Sequence, residues 1–273
     1  MKVFVTGLLL LAFAVEAQTV KVMTYNIRLD VASDGVNQWS NRTEKLPSLI
    51  KKYDPDLIGL QEAMHHQLMT ILEKLPEYRH IGVGRDDGKE KGEYSAILYK
   101  KDRFDLLYQK TSWLSETPNV PGSKNWDAAI TRVVTRGRFL DKKSGKEFLY
   151  FNTHFDHIGK EARRNSSSII LDLVRSEKGT KATPAIVTGD FNSPPEETAY
   201  QVMASSEIVF DARPAGSNEG TFCTFDVNGP PCRLIDYIFH SREYKSSNYQ
   251  VIKDNDGKYY PSDHLPVMVE LSF

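Results

Sequence analysis

The stretch Ala185-Ile-Val-Thr-Gly-Asp-Phe-Asn-Ser193 opens as a short apolar run with β-branched Ile186, Val187 and Thr188, then breaks at Gly189. It sets Asp190 and Asn192 just before Pro194 and Pro195. The pattern predicts a buried strand that delivers polar groups at its carboxyl end. Side chains alternate in an extended segment, so Asp190 and Asn192 are expected on one side while Phe191 turns into the protein. A carboxylate and a carboxamide so placed suit a water, a metal ion or a phosphate oxygen. The same residues also suit an Asx-type turn, in which they bond only their own backbone.

Outward from this stretch the same arrangement recurs. Val20 to Ile27 alternates as a core strand and delivers Asn26 and Arg28, and Asp56 to Leu60 is a short apolar strand ending at Gln61-Glu62. Helices are expected over Asn41 to Lys52, Met64 to Leu75, Gly159 to Arg175 and Glu196 to Ala204, from apolar residues at helical spacing. Tyr94 to Tyr99 reads as a strand with Glu93 at its mouth, paired with Phe104 to Trp113. Thr131 to Leu140 and Glu147 to Thr153 read as a hairpin whose second arm ends at His154 and Asp156. Ser115 to Asp127 is expected as a long ordered loop. Arg233 to His240 carries Asp236, and Ser262-Asp263-His264 precedes a last strand from Pro266 to Leu271. Strands and helices interspersed with hairpins predict a layered α/β domain with mixed sheets.

The 273 residues are 40% hydrophobic, enough for a full core, with no Pro/Ser-rich linker to divide them. With 35 Lys+Arg against 36 Asp+Glu, the chain lacks the bulk basic field that collects nucleic acid non-specifically. Residues 1–17 have the make-up of a signal peptide: Lys2, an apolar Val3 to Val15 too short to span a bilayer, and the small-residue site Val15-Glu16-Ala17. The mature domain is then 18–273, secreted or periplasmic, with no lipid-anchor cysteine at the cut and no later membrane span. After export, Cys223 and Cys232, which flank a Gly-Pro-Pro turn, are placed to close a disulfide; two free buried thiols are the alternative. Asn41-Arg-Thr and Asn165-Ser-Ser match the glycosylation sequon.

Asn26, Glu62, Glu93, His154, Asp190, Asn192, Asp236, Asp263 and His264 all fall at or beside predicted strand ends, where α/β layers gather their ligands. Glu62, Asp263 and Asn26 offer hard oxygen donors, which suit Mg²⁺, Mn²⁺ or Ca²⁺ better than Zn²⁺. Histidines beside carboxylates can present an imidazolium to a phosphate. Such a set neutralises charge growing on a phosphoryl centre.

Seven short motifs stand in one order along the chain: Thr24-Tyr-Asn-Ile, Leu60-Gln-Glu, Gly92-Glu-Tyr, Asn152-Thr-His-Phe-Asp, Gly189-Asp-Phe-Asn, Ile235-Asp-Tyr-Ile and Ser262-Asp-His. In them the chain resembles the endonuclease/exonuclease/phosphatase family, on its pancreatic-deoxyribonuclease-like side, as an exported bacterial-type branch. The resemblance implies a four-layer α/β/β/α sandwich of two mixed β-sheets flanked by helices, and an enzyme that hydrolyses phosphoester bonds with Mg²⁺, or with Mn²⁺ or Ca²⁺. It implies Glu62 as principal metal ligand with Asp263 and Asn26 near the ion. It makes Asp190 the activator of the attacking water, Asn192 the holder of a phosphate oxygen, and His264 the histidine facing the scissile phosphate with Asp236 orienting it. His154 is then the second active-site histidine. Glu93 either pairs with His154 as a second dyad or is a plain strand-edge residue. Arg28 is similar to an arginine that touches phosphate in the deoxyribonuclease branch.

Arg132 has the guanidinium to clamp phosphate, or serves as a buried ion-pair partner. Asp156 lines the pocket or caps a turn. Trp113, Trp126 and Phe155 are core rather than base-stacking residues on ordinary expectation. The expected partner is a phosphoester substrate: single-stranded nucleic acid, a nucleotide, a phospholipid head group, or a sugar or inositol phosphate. A monomer is expected. The alternative to catalysis is an exported binding protein that holds such a ligand uncleaved.

Overall fold

A computed structural model describes residues 18–273, so the proposed leader lies outside the described residues. Two six-stranded mixed sheets form. In chain order the elements are β1 (Thr19–Asn26), α1 (Lys45–Tyr53), β2 (Leu57–Gln61), α2 (His65–Lys74), β3 (Tyr78–Ile81), β4 (Ile97–Lys100), β5 (Phe104–Trp113), β6 (Val133–Asp141) and β7 (Lys146–His154). They continue with α3 (Lys160–Lys178), β8 (Ala185–Asp190), α4 (Thr198–Ala204), β9 (Phe210–Asp211), β10 (Asp236–His240), β11 (Lys245–Val251) and β12 (Val267–Ser272). One sheet runs β11-β12-β1-β2-β4-β3, the other β5-β6-β7-β8-β10-β9.

Each sheet holds one parallel pair at its centre, β1 with β2 and β7 with β8. Every residue of β2 and β8 is buried, which is why both read as continuous apolar runs rather than alternating ones. The sheets face each other across a core that includes Val22, Leu57, Phe148 and Ile238. A second core packs α1 and α2 on the first sheet through Leu46, Ile50 and Leu68. A third packs α3 and α4 on the second sheet through Ile170, Val174 and Met203. Four layers, α/β/β/α, follow.

Between the sheets, directly beneath the strand ends, a polar network joins them. Gln61 Nε2 donates to Thr24 Oγ1 (3.1 Å) and to Asn152 Oδ1 (2.7 Å), and Thr188 Oγ1 donates to the same Asn152 oxygen (3.0 Å). Asn152 Nδ2 donates to the carbonyls of Leu60 and Ala96, both at 2.8 Å. Gly59 admits this approach, since a Cβ there would lie 2.2 Å from Thr188 Oγ1 and 2.4 Å from Asn152 Oδ1.

The structure departs from the sequence expectations in a few places. β4 does not pair with β5: it joins β2 and β3 in one sheet while β5 pairs with β6 in the other. Strand β10 begins only at Asp236, because Arg233 pairs with Phe222 and the Ile235 carbonyl accepts from Phe191 N. Strands β3, β9 and β11 carry no strong apolar alternation; β11 is an edge strand whose first four residues are exposed. The loop before β6 is ordered. Its Asp127 carboxylate accepts from the amides of Glu161 (3.2 Å) and Ala162 (2.7 Å) and caps α3. The second sequon falls inside α3. No helix among the described residues is long and apolar enough to cross a membrane.

Candidate active site

The two parallel pairs point the same way, so the carboxyl ends of β1, β2, β7 and β8 meet at one end of the sandwich. Antiparallel β10 and β12 begin there. Pairing in register sets His154 beside Asp190 and Asp236 on Asp190's other side. Asn26 and Glu62 reach the same point from the first sheet. A cleft of about 680 Å³ opens above, lined by Glu62, His154, Asp190, Asn192 and His264.

Asp190 is the hub. Its Oδ1 accepts the Asn192 amide (2.8 Å) and its Oδ2 the Asn26 side-chain amide (3.0 Å). The first contact is an Asx turn, so the local and the functional interpretations of this stretch describe the same atoms. Nε2 of His154 lies 3.4 Å from Oδ2, and Nε2 of His264 lies 3.7 Å from it. Burial, with the charge of Asp236 next, raises the Asp190 carboxyl to about 7. A carboxylate poised there is matched to taking a proton near neutrality.

His264 and His154 are opposites. His264 Nδ1 lies 2.9 Å from Asp236 Oδ2, and Thr221 Oγ1 donates to that same oxygen at 2.6 Å. Burial by itself lowers the imidazole, but Asp236, then Asp190 and Asp263, outweigh it and raise His264 to about 10. It is an imidazolium. His154 is driven well below the ordinary range by burial and by Arg132 and Arg85. Its Nε2 accepts from Asn192 Nδ2 (3.0 Å), which leaves the proton of the neutral ring on Nδ1.

That Nδ1 is buried without a hydrogen-bond partner, and Glu93 Oε2 stands 3.9 Å away. Glu93 is held instead by Arg85, with contacts of 2.8 and 2.5 Å to its two oxygens. Of the two alternatives for Glu93, the dyad with His154 is not closed by a hydrogen bond, because Arg85 takes the carboxylate. Asn192 Nδ2 also donates to the Phe155 carbonyl (3.0 Å), so both its protons are engaged. Holding a phosphate oxygen requires Asn192 to release His154.

Asn26 turns its amide nitrogen to the site, donating to Glu62 Oε1 and Asp190 Oδ2, both at 3.0 Å, because its oxygen accepts the Arg28 backbone amide. In this arrangement its amide orients the two carboxylates. Glu62 Oε2 accepts from Leu29 N (3.0 Å). Arg28, Glu62 and Asn192 all adopt left-handed backbone, φ +57°, +60° and +45°.

A divalent ion fits these residues. Glu62, His154 and Asp190 each offer a donor atom within 4.8 Å of the others. The Asp263 carboxyl is raised by burial, against the charge of His264, with the charge of Glu62 adding to the rise. Arg28 is bound bidentately by Asp34 (2.9 Å twice) and lies 3.9 Å from Asp263. Arg132 lines the cleft, 5% exposed, and its Nε and Nη1 have no hydrogen-bond partner. Asp156 is used up on backbone: Ile130, Ile158 and Gly159 amides donate to it at 3.1, 2.9 and 2.7 Å. The turn-capping alternative describes these contacts, and Asp156 is not among the residues that line the cleft.

Phe155 is fully buried against Phe191, and Trp113 Nε1 donates to the Arg85 carbonyl. Neither reaches the cleft. Lining residues that the sequence did not single out include Lys160, Arg163, Glu197, Phe222 and Arg233. Lys160 and Arg163 lie one helical turn apart on α3, so their placement needed only that helix to be aimed at the cleft. Phe222 and Arg233 come from a loop with no periodic signal. Cys223 and Cys232 form a disulfide.

Buried carboxylates meeting one neutral and one charged imidazole, at a point suited to a divalent ion, give the charge balance of metal-dependent phosphoester hydrolysis. Residues 23–264 match the Endonuclease/Exonuclease/phosphatase family, and the chain belongs to this family of metal-dependent hydrolases. A crystal structure of a family protein from Bacteroides thetaiotaomicron is similar at 40% identity and a TM-score of 0.89, covering 94% of this chain and 96% of that one. A mannosyl-6-phosphatase from Bacteroides thetaiotaomicron VPI-5482 is similar at 40% identity and a TM-score of 0.87, covering 93% and 100%. Nocturnin of Mus musculus is 25% identical over 93% of this chain and 66% of its own length.

Proposed function

We propose that the protein is an exported phosphomonoesterase acting on a small phosphorylated sugar, with Mg²⁺ as the favoured ion. The observation that carries this is a local cluster of cations in the cleft: Arg28, Arg132, Lys160, Arg163 and Arg233 line it beside Glu62, Glu93, Asp190 and Glu197, while the chain's overall charge is near zero. A dianionic phosphate on a compact leaving group matches a local cluster of cations; a long nucleic acid calls for a basic track. Similarity to a mannosyl-6-phosphatase supports the same choice. The leader-like residues 1–17 and the disulfide support export.

In this mechanism Asp190 takes a proton from the attacking water, whose oxygen bonds to phosphorus as the phosphorus–oxygen ester bond breaks, and the departing sugar oxygen takes a proton from solvent and leaves as the alcohol. His264, kept charged by Asp236, faces the phosphoryl oxygens and offsets their growing charge. Arg132 supplies its unpartnered donors to the phosphate. Glu62, fixed by Asn26, would hold the divalent ion with Asp263 nearby, and the ion would supply a Lewis acid toward the phosphoryl group. A panel of sugar phosphates, nucleotides, single-stranded DNA and RNA, and an aryl phosphodiester, each with Mg²⁺ and with chelator, tests the proposal. Faster turnover of the diester or of nucleic acid than of every sugar phosphate sinks it in favour of a nuclease. Binding without turnover under any metal revives the non-catalytic binding protein.

A further inference from the structure

The disulfide stands beside the site, on the loop that carries Phe222 and Arg233. These two residues face each other as an isolated bridge: Phe222 N donates to the Arg233 carbonyl and Arg233 N to the Phe222 carbonyl, both at 2.8 Å. On its other edge the segment pairs with the catalytic turn. Cys223 N donates to the Asp263 carbonyl (2.8 Å), and Leu265 N to the Thr221 carbonyl (2.7 Å). Cys223 and Cys232 are the residues next to the Phe222–Arg233 pair, so their bond closes the excursion through Pro230-Pro231 just where it leaves the cleft.

The side chains form a stack. The Phe222 ring lies 4.8 Å from the His264 ring, and the Arg233 guanidinium carbon lies 4.9 Å from the Phe222 ring centre. Both residues line the cleft. Arg233 is exposed, and among the described residues its side chain has neither a hydrogen bond nor a carboxylate within ion-pair distance. Of the other guanidinium groups that line the cleft, Arg163 is held by Glu197 at 2.8 Å and Arg28 by Asp34 at 2.9 Å, while Arg132 is buried. An arginine left without a counter-charge, yet confined by an aromatic face, is pre-organised for an anion it does not yet hold.

We propose that Arg233 is a phosphate-binding arm specific for phosphomonoester dianions, and that the Cys223–Cys232 disulfide is its positioning device, so that substrate affinity depends on the redox state of this bond. The disulfide does not touch substrate. It limits the loop's freedom and keeps Phe222 against His264, with Arg233 on the ring. When the bond is reduced the same side chains remain but their confinement is lost, and part of the binding energy goes into ordering the loop. The monoester part of this inference rests on the phosphatase function proposed above; the anion-binding part does not.

The full-length oxidised protein with Mg²⁺ provides the test, measured with an aryl phosphomonoester for kcat and KM and with inorganic phosphate by calorimetry. Arg233→Ala is expected to raise KM and the phosphate Kd by about tenfold, the worth of one charge-assisted hydrogen bond, with kcat changing far less. Arg233→Lys recovers part of the loss. A thiol reductant, or the Cys223→Ser/Cys232→Ser pair, is expected to raise both constants several-fold in the wild-type background and to add nothing to Arg233→Ala. Reduction that weakens binding equally in Arg233→Ala overturns the positioning role, and unchanged phosphate affinity in Arg233→Ala overturns the arm. If the serine pair does not fold, reduction and reoxidation of the folded wild-type protein gives the same comparison. Failure to hydrolyse any monoester overturns the phosphatase function alone, since phosphate binding is read separately.

Discussion

His264 Nδ1 meets Asp236 Oδ2 at 2.9 Å while its Nε2 faces Asp190 Oδ2 at 3.7 Å, so one imidazole is wedged between two carboxylates from neighbouring strands. The two carboxylates raise the ring for that reason, and in the proposed mechanism its charge faces the phosphoryl oxygens. Thr221 extends the arrangement by one member, donating to the same Asp236 oxygen.

Replacing Asp236 by Asn tests the arrangement. His264 is raised to about 10, so it favours folding fully below its unfolded value near 6.5, and that contribution is lost as pH rises through about 10. In Asp236→Asn the alkaline limb of kcat/KM is expected to move down by about one unit or more, and turnover at neutral pH to fall by about a hundredfold or more. A pH–rate profile of both proteins checks this; an unmoved alkaline limb contradicts it.

Asp190 titrates in the opposite sense. It is a carboxyl raised to about 7, so the folded state holds the proton more tightly than the unfolded chain. Its contribution to stability is therefore present below the ordinary carboxyl range and disappears as pH rises through about 7. Activity runs the other way, because the base must be deprotonated: kcat/KM is expected to climb up to about pH 7, with the limb lying lower when the divalent ion is saturating. Asp190→Asn is expected to lose about a thousandfold or more in kcat. Residual activity within tenfold of wild type excludes Asp190 as the base.

Metal removal has a thermal signature as well as a kinetic one. Mg²⁺ at about a hundred times its Kd stabilises the folded state by about 2.7 kcal/mol. Melting the protein with Mg²⁺ and with chelator is expected to show this shift in the wild type and little of it in Glu62→Gln, which keeps the side-chain shape but not the charge. An equal Mg²⁺ shift in both proteins places the ion elsewhere.

Gly59→Ala tests the seam between the sheets. Its Cβ would sit 2.2 Å from Thr188 Oγ1 and 2.4 Å from Asn152 Oδ1, and neither atom can withdraw without breaking the network through Gln61. A loss of about 2–4 kcal/mol is expected in denaturant unfolding. A loss under about 0.5 kcal/mol, the ordinary scale for an uncritical substitution, contradicts the tight approach.

How far the sequence reached follows from the range of the forces involved. The fully buried strands β2 and β8 announced themselves by unbroken apolar runs, and the polar residues at their ends were legible because a strand that stops at a site must stop in polar side chains. By itself the sequence thus determined the layered α/β class, the main strands and helices, and the positions of Glu62, His154, Asp190, Asp236 and His264. Which strands share a sheet, and what each of those side chains does, it left to the fold. Strand β4 turned to β3 rather than β5, Arg85 took Glu93 away from His154, and Asn26 offered nitrogen instead of oxygen, because each outcome is a competition among partners far apart in the chain. The charge on His264 is likewise a tertiary product. Local sequence names a histidine after an aspartate, but only the carboxylates of Asp236 and Asp190, brought in by two other strands, outweigh burial and raise it.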